Sequence, residues 1–148
     1  MNADCINLLL ADDDMDDCMF FKEALTELPI KSCLRTVNDG EQLMQLLTAN
    51  QDNLPDILFL DLNMPRKTGY ECLSEIKLNN KLQQLPVIIY STSLNQEVAN
   101  LLYEKGASHY IRKPGDFSKL KKVILEALTT TYRTDSGTRS KETFIIEA

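Results

Sequence analysis

Four short apolar runs constrain this chain most: INLLLA at 6–11, ILFL at 57–60, VIIY at 87–90 and the shorter HYIR at 109–112. They are nearly continuous in hydrophobicity, the pattern of strands covered on both faces of a parallel sheet. CLRTV at 33–37 is a weaker fifth candidate. Between the runs lie segments with helical spacing. Cys18, Phe21, Leu25 and Leu28 recur at steps of 3, 4 and 3, and Phe117, Leu120, Ile124 and Leu128 at 3, 4 and 4. Leu43, Leu46 and Leu47 share a face, as do Val98, Leu101 and Leu102; Tyr70, Leu73 and Ile76 mark a further stripe. Such stripes pack onto a sheet. Pro29, Pro55, Pro65, Pro86 and Pro114 all fall between segments, where a missing N–H does least harm. Gly106 reads as the residue that closes a helix. The order βαβαβαβαβα predicts an α/β fold with a parallel sheet and right-handed crossovers.

The 148 residues suit one domain with a full core. The net charge of −6 and the lack of a long Lys/Arg run argue against nucleic acid as a partner. The N-terminal apolar run is short and carries Asp4 where a secretory signal needs basic residues. No stretch approaches membrane-spanning length, so a cytoplasmic protein without a membrane partner is expected. Cys5, Cys18, Cys33 and Cys72 have no metal-like spacing and read as reduced core thiols. Lone His109 reads as structural or solvated. Past about Thr129 the chain turns polar and Thr/Ser-rich, which divides it into a domain over 1–130 and an extension over 131–148. The extension ends in Thr143-Phe144-Ile145-Ile146, apolar and β-prone. That end either packs back on the domain, pairs with a second chain as a homodimer, or stays free.

Ligands of open α/β sheets bind beyond the carboxyl ends of the strands. Those ends carry Asp12, Asp13 and Asp14, then Asp61, then Ser91-Thr92-Ser93, then Lys113-Pro114. Clustered carboxylates lose hydration and repel, so they call for a cation. All-oxygen donors favour Mg²⁺ or Mn²⁺. An Asp carboxylate can also act as a nucleophile toward phosphorus, and a Lys beside it neutralises the transferred group. Ser91 can donate its hydroxyl to a phosphoryl oxygen. Asp14 reads as a helix N-cap.

These motifs resemble the receiver domain of two-component response regulators, and more narrowly a stand-alone receiver. The resemblance covers roughly 5–128. It rests on LLLADDD, on Asp61-Leu62-Asn63-Met64-Pro65 with Gly69 four residues on, on Ser91, and on Lys113-Pro114, in order and each at a strand end. It implies a flavodoxin-like (βα)5 fold, doubly wound, with strand order 2-1-3-4-5. It further implies Asp61 as phosphoacceptor. Asp12, Asp13, Asp61 and the backbone carbonyl of Asn63 would hold Mg²⁺ or Mn²⁺. Ser91 and Lys113 would bind the phosphoryl group, with a cis bond before Pro114, and Tyr110 would be the switch aromatic. Thr92 stands where many relatives carry Ala, a bulk that bears on how Tyr110 moves. The expected donor is a sensor histidine kinase or a histidine phosphotransfer protein. The expected output is a downstream partner docked on the face of helix 4, strand 5 and helix 5.

A phosphohydrolase with an Asp nucleophile uses similar parts. Its general acid/base is a second Asp two residues after the nucleophile, and Asn63 stands there instead. The sequence therefore favours a switch that catalyses only its own phosphorylation and dephosphorylation over a turnover enzyme.

Overall fold

The computed structural model describes residues 5–133 and 143–147. Strands and helices alternate as β1 (Ile6–Ala11), α1 (Met15–Thr26), β2 (Ser32–Val37), α2 (Gly40–Ala49), β3 (Ile57–Leu60) and α3 (Gly69–Leu78). They continue as β4 (Val87–Ser91), α4 (Gln96–Glu104), β5 (His109–Arg112), α5 (Phe117–Arg133) and β6 (Ile145–Ile146). One sheet takes the order β2-β1-β3-β4-β5-β6, with every neighbouring pair parallel. The first five strands keep the expected order; the correction is the sixth.

Alternation along the central strands splits the core into two layers. Leu9, Leu58, Leu60 and Ile89 face Leu43, Leu47, Leu73 and Leu102 on the side of α2, α3 and α4. Leu8, Leu10, Phe59 and Ile88 face Phe21, Leu25, Val123 and Ile124 on the side of α1 and α5. Each fully buried Leu, Ile or Phe contributes about 1.5–3 kcal/mol relative to exposure. Burial on both faces explains why these strands read as unbroken apolar runs. β2 is an edge strand with a partly exposed pattern, hence its weaker signal.

β6 comes from the C-terminal extension. Ile145 and Ile146 align with Tyr110 and Ile111, and the Tyr110 N–H donates to the Phe144 carbonyl at 3.0 Å. The Phe144 ring is buried against Tyr103 of α4 and Tyr110, with centroids 5.2 and 6.5 Å away. Ile146 joins the opposite core layer. The apolar end thus packs back on its own domain. His109 Nδ1 lies 3.2 Å from the carbonyls of Thr143 and Phe144. Both are acceptors, so this nitrogen carries the proton. Residues 134–142, most of the polar linker, lie outside the described residues.

The cysteines need a second correction. Cys18 and Cys72 are buried thiols, and burial pushes them up to about 11 and about 12. Cys5, the residue before β1, and Cys33 of β2 are instead joined as a disulfide, with Cα atoms 6.4 Å apart. Parallel register brings them together, since Asn7 aligns with Cys33; a spacing of 28 residues carries no such signal.

Candidate functional site

The sheet's hydrogen-bond ladder runs one residue past the strand ends, and this fixes the site. The Asp12 N–H donates to Val37 at 3.0 Å, that of Asp61 to Ala11 at 2.9 Å, and that of Lys113 to Ser91 at 2.7 Å. Three residues from three parts of the chain are thereby held on one rim by backbone alone. Local capping completes the frame. Asp14 caps α1, as expected, accepting from the N–H groups of Asp16 and Asp17 at 2.9 and 3.2 Å. Asp12 Oδ1 accepts from the Asp14 N–H at 3.0 Å, which turns its other oxygen toward the rim. Thr68 and Glu71 form a reciprocal capping box at the start of α3. Gly69 is required there: a Cβ would collide with the Asp61 carbonyl and sit 2.8 Å from the Leu62 Cα. The loop between β3 and α3 is anchored by buried Met64 and holds Arg66 at a φ of 71°. That left-handed conformation costs about 1–2 kcal/mol outside glycine.

Asp12, Asp13 and Asp61 each present a carboxylate oxygen, and the three oxygens lie within 4.8 Å of one another. Asp12 and Asp61 are buried and Asp13 is exposed. Three hard donors with one side open to solvent suit a divalent cation that keeps waters and takes phosphate oxygens. Lys113 reaches into the same cluster with a side chain only 8% exposed. Its Nζ donates to Asp12 Oδ2 at 2.7 Å and to Asp17 Oδ2 at 2.9 Å, and stands 3.9 Å from Asp61 Oδ2. The ammonium also lies 4.9 Å from the centroid of the Tyr90 ring.

The electrostatics follow from this packing. Burial raises Asp61 most, Lys113 pulls the other way and Asp12 adds to the rise; the carboxyl is pushed up to about 7. Burial pulls Lys113 down, but its hydrogen bonds to Asp12 and Asp17 outweigh that and hold it above the ordinary lysine value.

Ser91 is fully buried at the end of β4 and accepts from the Ser93 N–H at 3.4 Å. The Tyr110 ring is turned inward; its hydroxyl donates to the Ser93 carbonyl at 2.6 Å. Burial raises its phenol, with the Ser91 hydroxyl opposing. Thr92 is exposed and does not prevent this position. Asn63 is exposed, and its N–H donates to Asp61 Oδ1 at 3.4 Å. The Lys113–Pro114 bond, expected cis, is trans, the form favoured even before proline. The residue that sequence reading missed is Asp17. It sits in the first turn of α1, where an acid is ordinary, and nothing in its spacing predicts a partner 96 residues away.

This fold and rim are those of a known class. The chain belongs to the response regulator receiver domain family, whose family model matches residues 8–125. Members are signalling switches. Response regulator Rcp1 of Synechocystis sp. is 31% identical over 121 residues, covering 79% of this chain and 82% of that protein. The crystal structure of the Mn(2+)-bound form of Rcp1 matches with a TM-score of 0.74 at 28% identity, over 91% of this chain and 99% of that one. The crystal structure of the phosphorylated cyanobacterial phytochrome response regulator RcpA matches with a TM-score of 0.77 at 31% identity, over the same shares. Among the described residues no helix is long and apolar enough to cross a membrane.

Proposed function

We propose that Asp61 accepts a phosphoryl group from a phosphohistidine and that the chain works as a phosphorylation-dependent switch or relay intermediate. The observation that carries this is a buried lysine, hydrogen-bonded to Asp12 and 3.9 Å from Asp61, beside three converging carboxylates in a receiver fold. A carboxylate oxygen of Asp61 attacks phosphorus. The P–N bond of the donor breaks, and the imidazole leaves with the bonding pair. The product is an acyl phosphate on Asp61.

Asp12, Asp13, Asp61 and the Asn63 carbonyl would hold Mg²⁺ or Mn²⁺. The ion would supply positive charge that favours ionised Asp61 and offsets charge on the transferred group. Lys113 supplies a second positive charge beside Asp61. Ser91 donates its hydroxyl to a phosphoryl oxygen, and Tyr110 reports the change through its bond to Ser93. That RcpA is known phosphorylated and Rcp1 with Mn(2+) supports the reading. The phosphodonor is a sensor histidine kinase or a histidine phosphotransfer protein. Exposed Met15, Met19 and Phe20 on α1, close to Asp17 and Lys113, give it an apolar footing. The downstream partner docks on the face of α4 and α5, where β6 now lies along β5.

Acetyl phosphate with Mg²⁺ tests the assignment. Intact-mass analysis is expected to show one acid-labile phosphoryl group on the wild type and none on Asp61→Asn. Unchanged labelling of Asp61→Asn would refute it, and steady turnover of small phosphate esters would favour a hydrolase.

A further inference from the structure

Lys113 is not bonded to Asp61. Its two short hydrogen bonds go to Asp12 at 2.7 Å and Asp17 at 2.9 Å, while Asp61 Oδ2 stands at 3.9 Å, beyond hydrogen-bond reach. Asp12 has a second duty at the rim, as one of the three carboxylates that converge there. Asp17 is not in that cluster and faces the lysine from α1. Its backbone is pinned by the Asp14 cap, so its carboxylate is offered from a fixed place. The Tyr90 ring closes another side of the ammonium. The lysine thus sits in a cradle whose far wall is Asp17.

We infer that Asp17 is a positioning residue that holds Lys113 back from Asp61, and thereby limits how strongly the lysine pairs with the phosphoacceptor and the incoming phosphoryl group. This rests on the phosphoacceptor reading of Asp61. The ammonium must leave Asp17, or share itself with it, before it can bond a phosphoryl oxygen. A charge-assisted bond opposes that motion. Asp17→Asn keeps the shape and one acceptor oxygen but removes the charge that retains the lysine.

Three measurements test the inference. The crystal structure of Asp17→Asn, grown without divalent ions, should show Lys113 Nζ within hydrogen-bond distance of Asp61; an ammonium still on Asp12 and residue 17 overturns the proposal without any phosphorylation assay. With acetyl phosphate and Mg²⁺, the maximal phosphorylation rate of Asp17→Asn should rise roughly 3- to 10-fold, with little change in the half-saturating donor concentration. No rise, or a fall, overturns it. The third arm repeats the substitution in a Lys113→Gln background. If Asp17 acts through Lys113, the double variant matches Lys113→Gln alone. If Asp17→Asn produces the same factor in both backgrounds, it acts as a general negative charge near the site and the proposal fails. Failure of the phosphoacceptor reading looks different: wild type and Asp61→Asn then label alike, whatever Asp17 does.

Discussion

At the scale of single residues, the buried carboxyl of Asp61 makes a pH prediction with a definite sign. Its ordinary value of 3.8 applies to the unfolded chain, and burial raises it to about 7 in the folded one. Between these values the folded state binds more protons than the unfolded state, so this group's contribution to stability falls as pH rises through the window. Asp61→Asn cannot ionise. Its stability relative to wild type, from urea midpoints in EDTA, should therefore grow between about pH 4 and pH 7 and level off above, by on the order of 1–3 kcal/mol. A difference independent of pH contradicts this. Asp12, Asp13, Asp61, Ser91 and Lys113 were legible because they follow or close apolar runs, and the ladder bonds of Asp12, Asp61, Ser91 and Lys113 leave those four little freedom. Asp17 was not legible, because its partner is set by how α1 lies beside the end of β5. The pairing of Cys5 with Cys33 was hidden for the same reason: strand register, not spacing, creates it.

At the scale of elements, β6 is the addition that sequence periodicity could not assign. Two strand residues are too few to show alternation, and the polar stretch before them reads as an ending. What decides its place is the gap beside β5, filled by Phe144 on one face of the sheet and Ile146 on the other. Removing residues 143–148 uncovers Tyr110 and Tyr103 and deletes two buried apolar side chains. The loss expected from that burial is about 2–5 kcal/mol, read as a lower urea midpoint. The association state should stay as it was, because these side chains are already satisfied within their own chain. An unchanged midpoint would show that β6 contributes nothing to the fold, and a changed association state that it serves a second copy. β2 gave only a weak signal because an edge strand hides less surface; β3 and β4, covered on both faces, were plain.

At the scale of the whole molecule, helices on both sides of a parallel sheet leave its carboxyl rim as the place where chemistry collects. The opposite rim carries the disulfide, between the start of β1 and β2. Closing a loop of 28 residues is worth about 3–4 kcal/mol in the chain-entropy account. Reduction should lower the unfolding midpoint by a corresponding amount while acetyl phosphate labelling persists, since the bond is remote from Asp61. Thiol titration of the unfolded, oxidised chain should find only Cys18 and Cys72. Finding four thiols would show that Cys5 and Cys33 stay open under those conditions.

The reach of Lys113 sets an order of events during synthesis. Its partners Asp12 and Asp17 precede it by 101 and 96 residues, and two strands separate β1 from β5 in the sheet. A nascent chain that has exposed Asp12, Asp13 and Asp61 to solvent has the acidic half of the pocket but no ammonium to balance it. The pocket closes only when the fifth strand emerges and docks, among the last long-range pairings to form. A ribosome-bound fragment ending before β5 therefore has the three carboxylates without the lysine that balances them, and the complete rim arrives together with the nearly complete fold.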